Sequence, residues 1–490
     1  MNLKIPFTLI FALSFAFLSH SQTSKTESIE KTFHSISSNE LLEFAKELSS
    51  DKYKGRLSGS PEYFEAAKWC AAKFAEWGVK PAFNGSYFQE FRNEYSEVLS
   101  LGEVVYSGKN MQKTLSFPDD YLPGSNSASG KVSGQLVYVG YGITAPELGY
   151  DDYKNVDVKG KIIILESGIP YSKNDTTLAK WTPYAYHRYK FRNAVKHGAA
   201  GMIYASLIAN PNTVNLDNFV YAHVSNNVVE QIFLDAGKDY NAVKTDLQQM
   251  KNPSFAFPEE QKISISAETK YFPNAVACNV VGLIEGSDLE LKDEIIIIGG
   301  HLDGQGSMGN VVFPGALDNA SGVSDILGAA KALATSEIKP KRSVLFILFG
   351  GEECGLYGSE FYVKNPLFPI EKTKLMINLD MVGNGTGFYL ANGKSYPELY
   401  NHFESANNSF IHRQMDASEW SKNYGRPRSD ESNFEKAGIK TFGMWTRNSV
   451  FPVYYHHPKD KTDVLTPEIM EDAAKLLYLG ILGVANDGGL

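Results

Sequence analysis

Two kinds of hydrophobic pattern follow each other along this chain. After Ser60-Pro61, apolar residues recur every three or four positions up to Trp77, and Gly78 follows, which predicts a capped helix. From Asn279 onward, unbroken apolar runs alternate with amphipathic segments. The runs at 294–299, 343–349 and 375–379 predict buried strands, and the segments at 320–335 and 467–485 predict helices. This alternation indicates an α/β fold with a mostly parallel mixed sheet and helices on both faces.

The stretch from 101 to 270 has a different texture. Short β-rich runs such as 134–141 and 161–165 are separated by turn residues, and one helical segment covers 189–197. The stretch contains no metal-ligand spacing. We therefore predict a β-rich module at 101–270, inserted between the N-terminal part at 22–100 and the catalytic part at 271–490 of one domain.

The N-terminus has the pattern of a secretory signal peptide. Lys4 precedes a nearly continuous apolar run at 5–18, and Ser19-His20-Ser21 supplies small residues for cleavage. A bilayer core needs about 20 apolar residues, so this run is too short for a stable membrane anchor. We predict that residues 1–21 are removed and that the protein is exported to the periplasm or the medium.

Composition and charge exclude several other classes. Hydrophobic residues make up 43% of the chain and charged residues 21%, as in ordinary globular proteins. The net charge is −9 and no basic cluster occurs, so nucleic acid is not an expected partner. The 3 cysteines allow at most one disulfide, which leaves a Cys70–Cys278 pair open. Oligomeric state is left open as well.

Side chains of the metal-binding type follow the predicted strands. In chain order these are His301 with Asp303, Asp318 in a glycine-rich loop, Glu352 with Glu353, Asp380, and the pair His456-His457. Ligands bind at the carboxyl ends of strands in open α/β sheets. Each residue alone has an ordinary explanation, such as acids at a helix start. Together they predict a site for zinc, with cobalt or manganese as substitutes.

These residues resemble the motifs of metallopeptidase family 28, which includes bacterial leucyl-type aminopeptidases and glutamate carboxypeptidases. The matching segments are Gly300-His301-Leu302-Asp303, Asp318-Asn319 within 315–322, Gly351-Glu352-Glu353, Asn378-Leu379-Asp380-Met381 and Tyr455-His456, with Gly55-Arg56-Leu57-Ser58-Gly59-Ser60 near the N-terminus. The middle module resembles a protease-associated domain through 137–143, 151–153, 158–161 and 192–194. The resemblance implies the zinc-exopeptidase fold, interrupted by this domain.

The resemblance also implies a role for each residue. Asp318 bridges two zinc ions, His301 and Asp380 complete one site, and Glu353 and His456 complete the other. Asp303 orients the ring of His301. Glu352 is the general base for attack by a metal-bound hydroxide, and Tyr455 stabilises the oxyanion. A cis Asp318–Asn319 peptide bond is expected. Pro458 favours His456 over His457 as the ligand.

The expected function is that of a secreted two-zinc aminopeptidase acting on peptides. A carboxypeptidase or dipeptidase is an alternative, in which Arg426, Arg428 and Arg447 would bind a terminal carboxylate. A glutaminyl cyclase and a receptor-like protein without activity are further alternatives. One departure from the family is Glu431, which stands where many members carry histidine.

Overall fold

The structure is a computed structural model that describes residues 25–82, 85–170, 178–212, 215–419 and 429–489. The predicted signal peptide lies outside these residues, as do Arg426 and Arg428. The described chain forms two large sheets of nine and eleven strands. Within the described residues, no helix is both long and apolar enough to cross a bilayer.

The nine-stranded sheet has a parallel centre. Its central strands, in spatial order, are Ser343–Phe349, Ile295–His301, Thr373–Leu379 and Thr441–Arg447. Val276–Ile284, Lys80–Pro81 and Phe88–Arg92 extend one side, and Gly387–Ala391 and Gln414–Ala417 extend the other. The antiparallel pairs lie outside the centre. The prediction of a mostly parallel mixed sheet is therefore confirmed.

Helices cover both faces of this sheet because successive side chains of its strands point in opposite directions. Ile296 and Ile298 pack on one face, while Ile295 and Ile297 pack on the other. The first face is covered by helices Ser38–Leu48, Pro61–Glu76, Gly322–Thr335, Pro397–Ala406 and Pro467–Asn486. The second face carries the shorter helices Tyr357–Lys364 and Glu431–Lys436.

The eleven-stranded sheet is built mainly by residues 95–272, which we call the module. Its strands are Tyr95–Ser107, Gln112–Thr114, Tyr121–Pro123, Gly130–Tyr138, Ile162–Glu166, Gly201–Ala205, Val220–Val224, Phe255–Ala256 and Lys262–Phe272, joined by Ser307–Met308 and Val311–Val312. Its helices are Leu178–Trp181, His187–Lys196, Asn226–Asp235 and Tyr240–Gln248. The module has its own buried apolar clusters.

The module and the nine-stranded sheet share packing. Met308, which follows the strand that ends at His301, pairs with Val98 of the module. Both residues belong to a buried cluster with Leu122, Ala209 and Phe313. Such apolar packing fixes the position of the module relative to the carboxyl ends of the central strands.

The three cysteines are buried and unpaired, so Cys70 and Cys278 form no disulfide in this structure. Burial raises the pKa of the Cys278 thiol to about 12. A thiol that stays protonated is a poor nucleophile and a poor metal ligand. Cys70 and Cys278 both lie in the buried apolar core, where they act as packing residues.

Candidate metal centre

The carboxylate of Asp318 lies between two histidine rings. Its Oδ1 atom is 3.2 Å from Nε2 of His301, and its Oδ2 atom is 3.2 Å from Nε2 of His456. Asp380 Oδ1 lies 3.4 Å from the same nitrogen of His301. Glu353 Oε2 lies 3.1 Å from the same nitrogen of His456. The five residues thus form two three-residue groups that share Asp318.

The central strands explain why these residues meet. His301 is the last residue of its strand, and Asp380 follows the neighbouring strand directly. Glu352 and Glu353 follow the strand on the other side after two glycines. The three strands are parallel neighbours, so their carboxyl ends bring these side chains to one edge of the sheet.

Hydrogen bonds on the far side of both rings fix which nitrogen faces the carboxylates. Nδ1 of His301 lies 3.1 Å from the carbonyl oxygen of Asp303, and Nδ1 of His456 lies 2.8 Å from the carbonyl oxygen of Ala209. A carbonyl only accepts, so each Nδ1 atom carries a hydrogen. In a neutral ring, Nε2 then carries a lone pair that points at carboxylate oxygens. The nitrogen and these oxygens are all acceptors, and a cation between them would satisfy all of them.

The negative charges around both rings favour a cation at this place, either a proton on the ring nitrogen or a metal ion. Burial lowers the pKa of His301, but the carboxylates of Asp380 and Asp318 outweigh burial and raise that pKa well above its usual range. Glu353 and Asp318 do the same for His456. Glu353 Oε1 is buried without a hydrogen-bond partner in the described chain. Nitrogen and carboxylate donors in this number fit zinc.

Glu352 lies beside the five-residue cluster, and it is more exposed than Glu353. One carboxylate oxygen of Glu352 lies close to the metal-type side-chain atoms of His301 and Glu353. Burial raises the pKa of Glu352 well above its usual range, and Glu353 and Asp380 add to the effect. Its backbone N–H donates to the carboxylate of Asp303 at 3.1 Å.

Asp303 contacts the ring of His301 through its backbone and the two glutamates through its side chain. Its backbone carbonyl accepts from Nδ1 of the ring, while its nearest carboxylate oxygen is 3.9 Å away. The carboxylate instead accepts from the N–H groups of Glu352 and Glu353 at 3.1 and 3.2 Å. Asp303 therefore orients both the histidine and the two glutamates. Burial raises its pKa to about 7.

The loop that carries Asp318 is held by its own hydrogen bonds. Asp460 accepts from the N–H groups of Leu317 and Asp318 at 2.9 and 3.1 Å. The Asp318–Asn319 peptide bond is cis, as the family resemblance implied. The side chain of Asn319 donates to the carbonyl of Leu379 at 2.8 Å. These contacts aim the Asp318 carboxylate at the two rings.

Arg56, from the N-terminal motif at 55–60, supports the site without belonging to the metal-type cluster. The sequence alone predicted no role for it. Its guanidinium is fully buried and donates to the carbonyls of Leu302, Pro314 and Gly315 at 2.8, 2.8 and 3.0 Å, and to that of Leu48. It thereby ties the loop after His301 to the loop before Asp318. Leu302, Pro314 and Gly315 are far from Arg56 in the sequence, so only the fold reveals that they are in contact.

Three other residues lie around the cluster. The ring of Tyr455 stacks on that of His456, with centroids 3.7 Å apart, and its side chain is 49% exposed. His457 belongs to none of the metal-type groups in the described chain, and its Nδ1 accepts from the N–H of Lys459 at 3.1 Å. Glu431 is buried and accepts from the amide of Asn378 at 3.0 Å.

Two family models match this chain. The model for Peptidase family M28 covers residues 279–479, and the PA domain model covers residues 132–232. These two matches support an M28 metallopeptidase with an inserted PA domain. The matched range includes His301, Asp318, Glu352, Glu353, Asp380 and His456. The PA domain interrupts this peptidase, as its sequence resemblance predicted.

Similar proteins agree with these matches. Aminopeptidase YwaD of Bacillus subtilis is 26% identical over 385 residues, which cover 74% of this chain and 73% of that protein. A probable zinc metalloprotease of Pyrenophora teres f. teres is 39% identical over 110 residues, 21% of this chain and 22% of the relative.

Solved structures share the fold over nearly the whole chain. The M28 peptidase precursor of Shewanella amazonensis has a TM-score of 0.66 at 18% identity and covers 96% of this chain and 98% of its own. The aminopeptidase of Aneurinibacillus sp. strain AM-1 has a TM-score of 0.64 at 21% identity, with 94% and 97% covered. The M28 fold with its PA domain is therefore confirmed.

Two cavities adjoin the cluster in this M28 chain. A cleft of about 1090 Å³ runs along the PA domain, and Glu352, Glu353, Tyr455 and His456 line one end of it. A smaller cavity of about 360 Å³ lies beside Asp380. The smaller cavity has mostly apolar walls, made by Leu317, Met381, Met444, Trp445 and Val453 among others.

Proposed function

We propose that this protein is a two-zinc aminopeptidase that removes single residues from the amino end of peptides. The observation that carries the proposal is the position of Asp318, whose two carboxylate oxygens each face a different histidine nitrogen at 3.2 Å. One carboxylate shared in this way suits a pair of ions held side by side. The relatives named aminopeptidase and zinc metalloprotease support the same reading.

The residues would hold the two ions as the sequence predicted. His301 and Asp380 would bind one ion, Glu353 and His456 the other, and Asp318 both. Bound zinc supplies Lewis acidity, which lowers the pKa of water and polarises a carbonyl. The PA domain contributes the carbonyl of Ala209, which holds the ring of His456 in position.

Glu352 is proposed as the general base. Its carboxylate lies at the cluster and lines the cleft beside it. It would accept a proton from the attacking water and pass that proton to the leaving amine. Tyr455 lines the same end of the cleft, where its hydroxyl would donate to the developing oxyanion.

The two cavities support cleavage at the amino end. The apolar cavity beside Asp380 would hold the first side chain, while Asp380 and Glu352 would attract the free amino group. The cleft would hold the rest of the chain. Arg447, considered earlier as a carboxylate ligand, lies 3.1 Å from Asp416, and the residues that line the two cavities do not include it. Arg447 therefore gives no support to a carboxypeptidase.

Export is part of the proposal. The apolar run at 5–18 and the small residues after it support removal of a signal peptide during secretion. The test is the N-terminal sequence of the protein recovered from the producing cell's exterior. A mature chain that still begins at Met1 would contradict it.

The activity test uses the zinc-loaded protein with leucine p-nitroanilide and N-acetyl-leucine p-nitroanilide. Hydrolysis of the free-amine substrate alone, abolished by a chelator and restored by zinc, is the expected result. A hydrolysis rate that the chelator does not change, or equal cleavage of the acetylated substrate, would contradict the proposal. Peptides blocked only at the carboxyl end should be cleaved, and a failure there would favour a carboxypeptidase.

A further inference from the structure

The wall of the large cleft opposite the metal-type residues is positively charged. Helix His187–Lys196 of the PA domain lines the cleft with Arg188, Arg192 and Lys196. These residues are spaced four apart, so they lie on one face of the helix. At 1.5 Å per residue the row is about 12 Å long, which matches three to four residues of an extended peptide.

The row begins close to the candidate catalytic residues. Arg188 donates from Nη1 to the hydroxyl of Tyr357 at 3.2 Å. Its guanidinium is also so close to Gly355 that a Cβ there would lie 2.8 Å from Nη2. Gly355 follows the Glu352-Glu353 pair by two positions. The first cation of the row therefore lies beside the loop that carries the proposed general base.

The other two cations are available to a ligand. Arg192 and Lys196 are exposed, and neither forms an ion pair with the described part of the chain. Among the acids that line the cleft, Glu360 is paired with Lys364, and Glu352 and Glu353 lie at the metal-type end. The cleft thus has acids at one end and cations along the opposite wall.

Aromatic side chains complete this wall. Tyr184, Tyr186 and Tyr189 line the cleft on the same side as the cations. Tyrosine provides flat, rigid contact area for a peptide backbone and its side chains. The volume of about 1090 Å³ exceeds the usual range for a drug-sized ligand, so several peptide residues fit.

We propose that this cleft binds the part of a substrate that follows the cleaved bond, and that Arg188, Arg192 and Lys196 select carboxylates there. This inference rests on the proposed aminopeptidase function. It assigns a substrate class, namely peptides with acidic side chains or a free carboxyl end within a few residues of the cleaved bond. The PA domain is then a substrate-binding wall as well as a support for His456.

The experiment compares three peptides in the zinc-loaded protein. These are Leu-Gly-Glu-Gly-Glu-amide, Leu-Gly-Gln-Gly-Gln-amide and the free acid Leu-Gly-Gln-Gly-Gln. We expect kcat/KM to be about fivefold higher for a carboxylate-bearing peptide than for the glutamine amide, and the difference to shrink in salt. Preference for the first peptide identifies side chains, and preference for the third identifies the terminal carboxylate.

A charge-reversed variant tests the residues. Arg192→Glu combined with Lys196→Glu should lower the ratio of kcat/KM for acidic over glutamine peptide by about tenfold. The matched control is Lys109→Glu with Lys131→Glu, which makes the same charge change on exposed module residues outside the cleft. The control should keep the wild-type ratio.

Two results would overturn the inference: equal rates for all three peptides in the wild type, or an equal change of the ratio in the control variant. Leucine p-nitroanilide has no residue after the cleaved bond and serves as the reference. If the zinc-loaded wild type fails on that substrate, the proposed function fails first. If it succeeds and the peptides do not differ, only the present inference fails.

Discussion

The Nδ1 atom of His456 lies 2.8 Å from the carbonyl oxygen of Ala209. The histidine belongs to the candidate metal cluster, and the alanine belongs to the PA domain. A hydrogen bond of this kind fixes both the tautomer and the direction of a ligand ring. Zinc binding by His456 should therefore depend on the position of a PA-domain segment.

A bulkier residue at position 209 tests this dependence. Ala209 is fully buried against Val98 and Leu122, so Ala209→Leu should displace its carbonyl. We expect zinc affinity at one of two sites to fall by about 10- to 100-fold, measured by calorimetric titration of the metal-free protein.

The matched control is Ala222→Leu, an equally buried alanine in strand Val220–Val224 of the same domain. It should lower the unfolding temperature similarly without a selective loss of one zinc. Equal zinc affinities in the two variants would contradict the role of Ala209.

Glu352→Gln should remove turnover but not the metal. The amide cannot accept the proton, so kcat should fall by at least about 10²-fold. The zinc content, measured by atomic absorption, should stay at the wild-type value. Glu360→Gln, at the edge of the cleft, is the control and should retain turnover. Near-normal rates in Glu352→Gln would mean that another group is the base.

Substitution of Asp318 and substitution of Asp380 should lower the amount of bound zinc to different extents. Because Asp318 faces both histidines, Asp318→Ala should leave almost no bound zinc. Asp380 faces only His301, so Asp380→Ala should lose about one ion of two. Metal-to-protein ratios after dialysis decide between these outcomes. The same ratio in both variants would contradict a shared carboxylate.

Asp152 in the PA domain should make stability depend on pH. Its carboxylate is fully buried and accepts from the N–H of Ile143 and the hydroxyl of Tyr150 at 2.9 and 2.7 Å. Burial raises its pKa to about 7, whereas an unfolded aspartate has a pKa near 3.9. The protonated acid thus favours the folded chain. This contribution is complete below about pH 4 and is lost as pH rises through about 7.

Asp152→Asn should remove that pH dependence. Relative to the wild type, the variant should gain stability between pH 4 and pH 8, by an amount on the order of 2–4 kcal/mol. Urea denaturation followed by tyrosine fluorescence at several pH values measures the difference. Asp157→Asn, whose side chain is 75% exposed, is the control. A difference that stays constant across this range would show that Asp152 does not titrate there.

The sequence predicted the centre of this fold because local patterns specify it. The apolar run at 343–349 is a strand with those same bounds, and helix Pro61–Glu76 begins after the predicted serine cap. The metal-type and catalytic side chains of the candidate site were predictable for the same reason. His301 ends a strand and Glu352 and Asp380 follow the two neighbouring strands, so the parallel order of the strands brings them together.

Contacts that join distant segments were not predictable from such patterns. Arg56 and Leu302 are 246 residues apart, and His456 and Ala209 are 247 residues apart. The acceptors are backbone carbonyls, which every residue carries, so no side chain in the sequence marks them. The row of Arg188, Arg192 and Lys196 has helical spacing, but only the fold shows that it faces the cleft.

The hydrogen bond from His456 to Ala209 also has a consequence for the order in which the site can assemble during synthesis. The PA domain at 132–232 precedes His456 in the sequence and is therefore synthesised before this histidine. A nascent chain that stops short of residue 456 lacks one residue of the cluster, even when the strands of both sheets have formed. The candidate metal centre should accordingly form only after the PA domain that supports it.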